Sequence, residues 1–326
     1  MRVFITDTTL REGIQSPSLE MSYSQREELF YLLASVGIEE IEAGVPAHSE
    51  EEKEFLKRLT KSIFSEKIIV WNRANFMDLE ASLQCGVKKV EIAFPISDIM
   101  IEKKLRKSKN FLVGLASELI SYAKANNLYV SAGLEDASRS DADFLYKFVK
   151  SIKEIGTDRI RISDTVGILN PIQTKKLIEN FSDFVDVEVH FHNDFGMATA
   201  NAIVAALSGA KYINATLLGL GERCGITPLE EITYYLEIIQ NIKTGINIKK
   251  LHEILKHFIN IAKININPNK PLIGNNALTN KSSIHIDGLS KSKDTYLPFD
   301  PKILDEEAKF VFGKYSKAEI YKNRYK

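Results

Sequence analysis

Residues 2–13 read Arg2-Val3-Phe4-Ile5-Thr6-Asp7-Thr8-Thr9-Leu10-Arg11-Glu12-Gly13. The run Arg2–Thr6 is short, apolar and β-branched, the composition of a buried strand. The residues after it separate the two large α/β architectures. A doubly wound dinucleotide fold needs a Gly-rich phosphate turn after its first strand. Asp7–Gly13 is not such a turn; it is a polar loop with two carboxylates and an arginine. Seven further runs of the same kind as Arg2–Thr6 occur, spaced by about 20–40 residues. They are Glu39–Ala43, Lys67–Trp71, Lys88–Phe94, Leu128–Ala132, Arg159–Ser163, Val185–His190 and Tyr212–Thr216. Helical patterns lie between them. Ser24–Val36 has Ser24 as its expected N-cap and Gly37 just past its end. Others fall near Asp78–Cys85, Asp141–Ile155, Pro171–Phe181, Ala198–Leu207 and Leu229–Ile242. Eight βα units in about 240 residues match the arithmetic of a TIM (β/α)8 barrel.

From Asn247 the pattern changes. His252–Lys263 reads as a helix, Ile264–Pro271 is turn-rich, Leu272–Asp300 is irregular, and Asp305–Lys326 is mixed and charged. The sequence therefore divides into a catalytic barrel, residues 1–246, and a small C-terminal appendage, residues 247–326. The appendage is too short and irregular to pack well alone, so it leans on the barrel or on a neighbouring subunit. The whole chain has 326 residues, 44% hydrophobic and 26% charged, ordinary values for a globular enzyme. Its 43 Lys+Arg balance 43 Asp+Glu. That balance disfavours a protein built to hold nucleic acid or an anionic membrane. No apolar run reaches the roughly 18 residues of a membrane span, and MRVFITDTTLREG is not a secretory leader. Cys85 and Cys224 cannot build a disulfide framework or a thiolate metal site alone. A cytoplasmic location is expected.

Reactive groups of a TIM barrel stand at the C-terminal ends of its strands. Those positions hold Asp7, Arg11 and Glu12 after the first strand, and Glu135 and Asp136 after the fifth. Asp164 and Thr165 come after the sixth, and His190, His192, Asn193 and Asp194 belong to the seventh. Asn214, Thr216 and the loop Gly219–Glu222 belong to the eighth. His190 and His192 stand two apart on a strand and so point to the same side. With a carboxylate from another strand end they would make a three-ligand divalent site with open positions. Asp7 and Glu12 are both candidates for that carboxylate. Arg11 suits bidentate carboxylate binding. The loop Glu135–Arg139 is either an acidic helix N-terminus or the holder of a general acid/base. Lys103, Lys104, Arg106 and Lys107 could meet the phosphates of a nucleotide but suit a solvated helix face better. Trp71, Tyr234 and Tyr235 read as packing residues, and Cys224 as a small packed side chain.

Taken together, these stretches resemble the DRE-TIM metallolyases, and among them the Claisen-condensing acyltransferases: 2-isopropylmalate, homocitrate and citramalate synthases. The resemblance rests on Asp7–Gln15 (DTTLREGIQ), His190–Asn201 (HFHNDFGMATAN), Gly219–Arg223 (GLGER), Ser283–Leu289 (SIHIDGL) and Tyr296–Pro301 (YLPFDP). Pro95–Met100 and Glu135–Asp141 look closest to homocitrate synthases associated with nitrogenase cofactor assembly. The resemblance implies a divalent metal (Mg, Mn or Zn) on Glu12, His190 and His192, with Glu12 preferred over Asp7. It implies Arg11 against charge developing on the substrate carbonyl, and Gln15 and Thr165 as substrate contacts. Glu135, His285 and Tyr296 are tied to acid/base work on acetyl-CoA. The implied reaction condenses acetyl-CoA with a 2-oxo acid, 2-oxoglutarate first, to give homocitrate. Pyruvate, 2-oxoisovalerate and oxaloacetate are the alternatives. A dimer whose appendage reaches the partner's active site is also implied.

Three departures stand out. Ile226 occupies the place of the Asn in the family's G-E-R-x-G-N, although Gly225–Leu229 resembles the lysine-pathway homocitrate synthases. Asn280 and Ser283 replace a His and a Gly before His285. The chain stops at Lys326, where isopropylmalate synthases add a regulatory domain, so feedback through that domain is expected to be absent. The last two favour a rival: a weakly active subunit that depends on a fuller homologue. A retro-aldol lyase of the same superfamily is the other alternative.

Overall fold

The computed structural model describes residues 2–313; expectations placed on residues 314–326 lie outside them. Eight parallel strands close in chain order into a barrel: β1 Phe4–Asp7, β2 Glu40–Glu42, β3 Ile68–Arg73, β4 Lys89–Pro95, β5 Tyr129–Glu135, β6 Arg159–Asp164, β7 Asp186–Phe191 and β8 Tyr212–Ala215. β8 pairs with β1, Asn214 opposite Thr6, and closes the ring. All eight overlap the strands expected from the sequence. The fold is a TIM barrel.

The helices are α1 Tyr23–Ser35, α2 Glu50–Leu59, α3 Phe76–Gln84, α4 Lys109–Ala125, α5 Ala142–Ile155, α6 Pro171–Glu179, α7 Ala198–Leu207 and α8 Leu229–Tyr234, the last running on as a π-helical turn to Ile239. α1 starts earlier than expected. Ser22, not Ser24, is the N-cap: its hydroxyl accepts from the Gln25 N–H, and the Gln25 side chain returns to the Ser22 N–H at 2.9 Å. This reciprocal box satisfies two orphan donors at once and so outcompetes a lone Ser24. Gly37 comes next at φ +100°, the left-handed exit expected of it. α2 and α4 are additional to the helices expected by name. α2 is charged on most of its surface, yet buries Phe55, Leu56 and Leu59 against the barrel.

A parallel barrel buries both faces of its strands. Ile5, Ile41, Val70, Ile92, Val130, Ile160, Val187 and Ile213 are fully buried in the main core. The alternate residues face the barrel axis, and there the chain is ionic. Glu40, Glu42, Glu91, Arg159, Arg161 and Glu188 are all buried. Arg159 bridges Glu40 and Glu188 at 2.6 and 2.9 Å; Arg161 bridges Glu42 at 2.6 Å and Glu188 at 3.1 Å.

After the barrel, α9 (Ile248–Ile261) packs on α1, and its Leu251, Leu255 and Phe258 belong to the barrel's own core. The stretch expected to be irregular contains a helix, α10 (Ser283–Lys291). Ile286 and Leu289, three apart, are its buried side, and Gly288 within it obscures the pattern. A short parallel pair, β9 Thr279–Asn280 and β10 Lys309–Phe310, lies beside it. Lys270 anchors the segment to the barrel through Glu231 at 2.6 Å. Among the described residues no helix is long and apolar enough to cross a membrane.

Candidate active site

The loop after β1 is one tight turn. The Thr8 carbonyl accepts the N–H groups of Arg11, Glu12 and Gly13. The turn carries Glu12 back over the barrel mouth. Asp7 is turned the other way: its carboxylate accepts the Thr9 N–H at 2.9 Å and the Thr9 hydroxyl at 2.8 Å. Asp7 thus braces the loop, and burial pushes its carboxyl up to about 7. Glu12, His190 and His192 offer ligand atoms that all lie within 4.8 Å of one another, and all three residues are buried. The carboxylate left open between Asp7 and Glu12 is, by geometry, Glu12.

The surroundings prepare these groups for a cation. Asn214 donates its Nδ2–H to Glu188 Oε1 at 3.3 Å, leaving its Oδ1 facing His190 Nδ1 at 2.7 Å. The His190 proton therefore sits on Nδ1, and the Nε2 lone pair is free. Burial lowers His190 to about 4, with Arg11 and Arg161 adding to the effect; burial and the neighbouring His190 lower His192 to about 4. Both rings are neutral at pH 7, the form that ligates metal. The buried Nδ1 of His192 has no hydrogen-bond partner. Burial works against ionisation of Glu12, but Arg11 beside it and the two histidines hold its carboxyl below the usual range. An ionised carboxylate, two neutral imidazoles and an orphaned ring nitrogen fit a divalent cation.

A cavity of about 150 Å³ opens beside this cluster. Arg11, Glu12, Glu135, Thr165, His190 and His192 line it, together with Trp71, Glu91, Ala93, Gly133, Arg161 and Ser163. Six of the residues expected to act together are thus brought together. Arg11 pairs with Glu12 and, at 2.7 Å, with Glu42, which fixes its guanidinium at the cavity wall. The Lys104 ammonium grips both oxygens of Glu135, at 2.6 and 2.9 Å. Lys104 is exposed, as expected of a solvated face, and reaches the edge of the site through this pair. Asp136 is scaffold: it binds Arg139 and the Ser97 hydroxyl, and its N–H donates to Thr165 Oγ1 at 2.8 Å. Arg223 ties three loops together through Asp194 (2.8 and 2.9 Å) and the Thr165 carbonyl (2.8 Å).

Three expected residues stand elsewhere. Gln15 lines an adjoining cavity that shares Arg11 with the first. His285, on α10, and Tyr296 stack on each other at 4.2 Å between ring centroids, are exposed, and do not line the metal-side cavity. Ile226 is fully buried, and its backbone bridges to His192. Trp71, expected to be packing, is a cavity wall with the Arg11 guanidinium 5.8 Å from its ring centre. Glu91 and Arg161 are cavity residues that sequence reasoning missed. Their signal is present all the same, since each is a charged residue flanked on both sides by β-branched residues in its strand.

Residues 2–258 match the HMGL-like family. The chain belongs to this family. It is 38% identical over 99% of its length to "2-isopropylmalate synthase 2" of Caldanaerobacter subterraneus subsp. tengcongensis, of which it covers 85%. It is 36% identical over 97% of its length to "Homocitrate synthase 1" of Nostoc sp., of which it covers 84%. (R)-citramalate synthases are 34–38% identical, and the chain covers 64–66% of their length. The solved HMG-CoA lyase of "Bacillis subtilis" shares the fold at a TM-score of 0.72 and 21% identity, over 85% of this chain and 97% of that one. The chain is thus an enzyme of the homocitrate/isopropylmalate synthase type.

Proposed function

We propose that the protein condenses acetyl-CoA with 2-oxoglutarate and water to give homocitrate and CoA. The observation that carries the reaction class is the convergence of Glu12, His190 and His192 beside Arg11 at the C-terminal mouth of the barrel. The stretches Pro95–Met100 and Glu135–Asp141 support the choice of substrate. Glu12, His190 and His192 would hold a divalent cation, which supplies Lewis-acid polarisation of the 2-oxo group. Arg11, held by Glu42, faces the oxygen on which negative charge grows. The Thr165 hydroxyl orients the substrate carboxylate. Glu135, at the cavity edge, is the group placed to move a proton at the acetyl methyl.

His285 and Tyr296 are exposed and away from their own chain's cavity. That placement supports completion of the site by a second chain, either another copy or a fuller homologue. CoA release should be followed with 2-oxoglutarate, 2-oxoisovalerate, pyruvate and oxaloacetate, each with Mg or Mn and a chelator control. Metal-dependent turnover of 2-oxoglutarate sustains the reading; folded, metal-loaded protein inert to every acid refutes an autonomous synthase. Mixing inactive E12Q and H285A chains restores activity if sites are completed between copies.

A further inference from the structure

The floor of the cavity carries two buried polar groups that the proposed condensation does not use. Arg161 is 2% exposed and Glu91 1% exposed. The Arg161 Nη1 is committed to Glu42 at 2.6 Å. Its Nε lies 3.6 Å from Glu91, beyond hydrogen-bond distance, and its Nη2 forms an ion pair with Glu188 at 3.1 Å but no hydrogen bond. Glu91 Oε2 is likewise without a partner. Unpaired buried donors and acceptors are costly unless something satisfies them.

The wall around them is cut away. A Cβ on Gly133 would stand 2.0 Å from Glu91 Oε1, so any side chain there would push the Glu91 carboxyl aside. Ala93 keeps the next position low. The charge balance is also uneven. Glu12, Glu40, Glu42, Glu91 and Glu188 face Arg11, Arg159, Arg161 and Lys89, which is five acids against four bases.

We propose that Arg161 and Glu91 form the recognition site for the distal carboxylate of a dicarboxylic 2-oxo acid. The proposal rests on the 2-oxoglutarate reading and names the groups that would enforce it. The Arg161 Nε and Nη2 groups, which make no hydrogen bond within the chain, donate to the incoming carboxylate. Glu91, as the neutral acid, donates its O–H. Glu91 is faced by Arg161 from β6, Glu42 from β2, Glu188 from β7 and the Ser131 hydroxyl from β5, with Arg11, Glu12, Glu135 and both histidines bordering the same cavity. Burial pushes its carboxyl up to about 8; Arg161 pulls down, while Glu188 and Glu42 push up. The acid form therefore prevails at neutral pH. A branched or methyl 2-oxo acid would leave all these groups unpaired, which is how a polar pocket rejects an apolar analogue.

The test uses the full chain loaded with Mn²⁺, as wild type, Glu91→Gln and Glu91→Leu, each first shown to unfold cooperatively. Selectivity is the ratio of kcat/KM for 2-oxoglutarate to that for 2-oxoisovalerate. Glu91→Leu should cut that ratio by about 100-fold or more. Glu91→Gln, which still donates an N–H, should keep most of it. In the wild type the KM for 2-oxoglutarate should climb above pH 8 as Glu91 ionises, and in Glu91→Gln that climb should vanish. Thermal shifts with 2-oxoglutarate should rank the three proteins in the same order. A wild type that prefers 2-oxoglutarate, with Glu91→Leu equally selective, overturns this proposal alone. A wild type that prefers 2-oxoisovalerate or pyruvate overturns the substrate reading and this proposal with it.

Discussion

Replacing Asn214 by Ala separates the support of a metal ligand from the ligand itself. Asn214 is fully buried and touches no solvent. Its amide holds His190 at 2.7 Å and Glu188 at 3.3 Å, and this fixes both the rotation and the tautomer of the His190 ring. In Asn214→Ala a buried Nδ1–H loses its acceptor, at a cost of about 1–3 kcal/mol. The ring can then also place its proton on the nitrogen meant for the cation. Loss of such an outer partner weakens metal binding about 10–100-fold, or about 1.4–2.7 kcal/mol. The consequence can be read without turnover. At a Mn²⁺ concentration about 100 times the wild-type Kd, bound metal stabilises the fold by about 2.7 kcal/mol. The same concentration should stabilise the variant by only about 1.4 kcal/mol if binding is tenfold weaker, and by about 0.4 kcal/mol if it is a hundredfold weaker. Urea unfolding with and without Mn²⁺, paired with calorimetric titration, measures both quantities. A folded Asn214→Ala protein with wild-type Kd and undiminished stabilisation by Mn²⁺ would refute the reasoning.

Arg159→Met leaves Glu40 and Glu188 buried without their shared cation and should destabilise by about 3–5 kcal/mol in urea unfolding, with little change in metal affinity. Because burial holds His190 and His192 near 4, Mn²⁺ affinity should stay nearly flat from pH 8 down to about 5 and fall as protons compete near 4; an affinity already halved at about pH 6.5 would contradict this. Asp7 titrates near 7 in the folded chain against an ordinary value of 3.8, so the folded state binds more protons between these values. Its contribution to stability is then full below about 4 and is lost as the pH rises through 7, and Asp7→Asn should remove that part of the slope in pH-resolved unfolding curves.

The barrel is legible in the sequence because its strands obey a simple rule: short β-branched runs, most with a helical pattern after them, eight times over. The metal cluster is half legible. His190 and His192 share a face by the strand period alone, and the structure puts them together. The choice between Asp7 and Glu12 is closed to spacing. It depends on a single turn in which Thr8 accepts three consecutive N–H groups, swinging Glu12 over the mouth while Asp7 caps Thr9. Ser24 misleads for a similar reason, since only the reciprocal contact with Gln25 favours Ser22.

The ionic interior shows what a stricter reading of the strands can find. Glu40-Ile41-Glu42, Val90-Glu91-Ile92, Arg159-Ile160-Arg161 and Val187-Glu188-Val189 each alternate charge with β-branched residues. In an antiparallel sheet that alternation would mean one wet face. In a parallel barrel the outer face lies beneath helices, so the charged alternates can only point to the axis. There they must pair, because an isolated buried charge costs several kcal/mol. Four strands contributing six such residues therefore imply an ion network inside the barrel. Position then decides which members can act on a ligand. Arg159 pairs with Glu40 and Glu188 and Arg161 with Glu42 and Glu188, but of the two only Arg161 lines the cavity, with the Glu91 carboxyl 3.6 Å away. Arg161 and Glu91 sit at the floor of the same space whose mouth holds Glu12, His190 and His192. One pocket thus offers a cluster suited to a cation at its mouth and, two residues below the level of His190, the Arg161–Glu91 pair at its base.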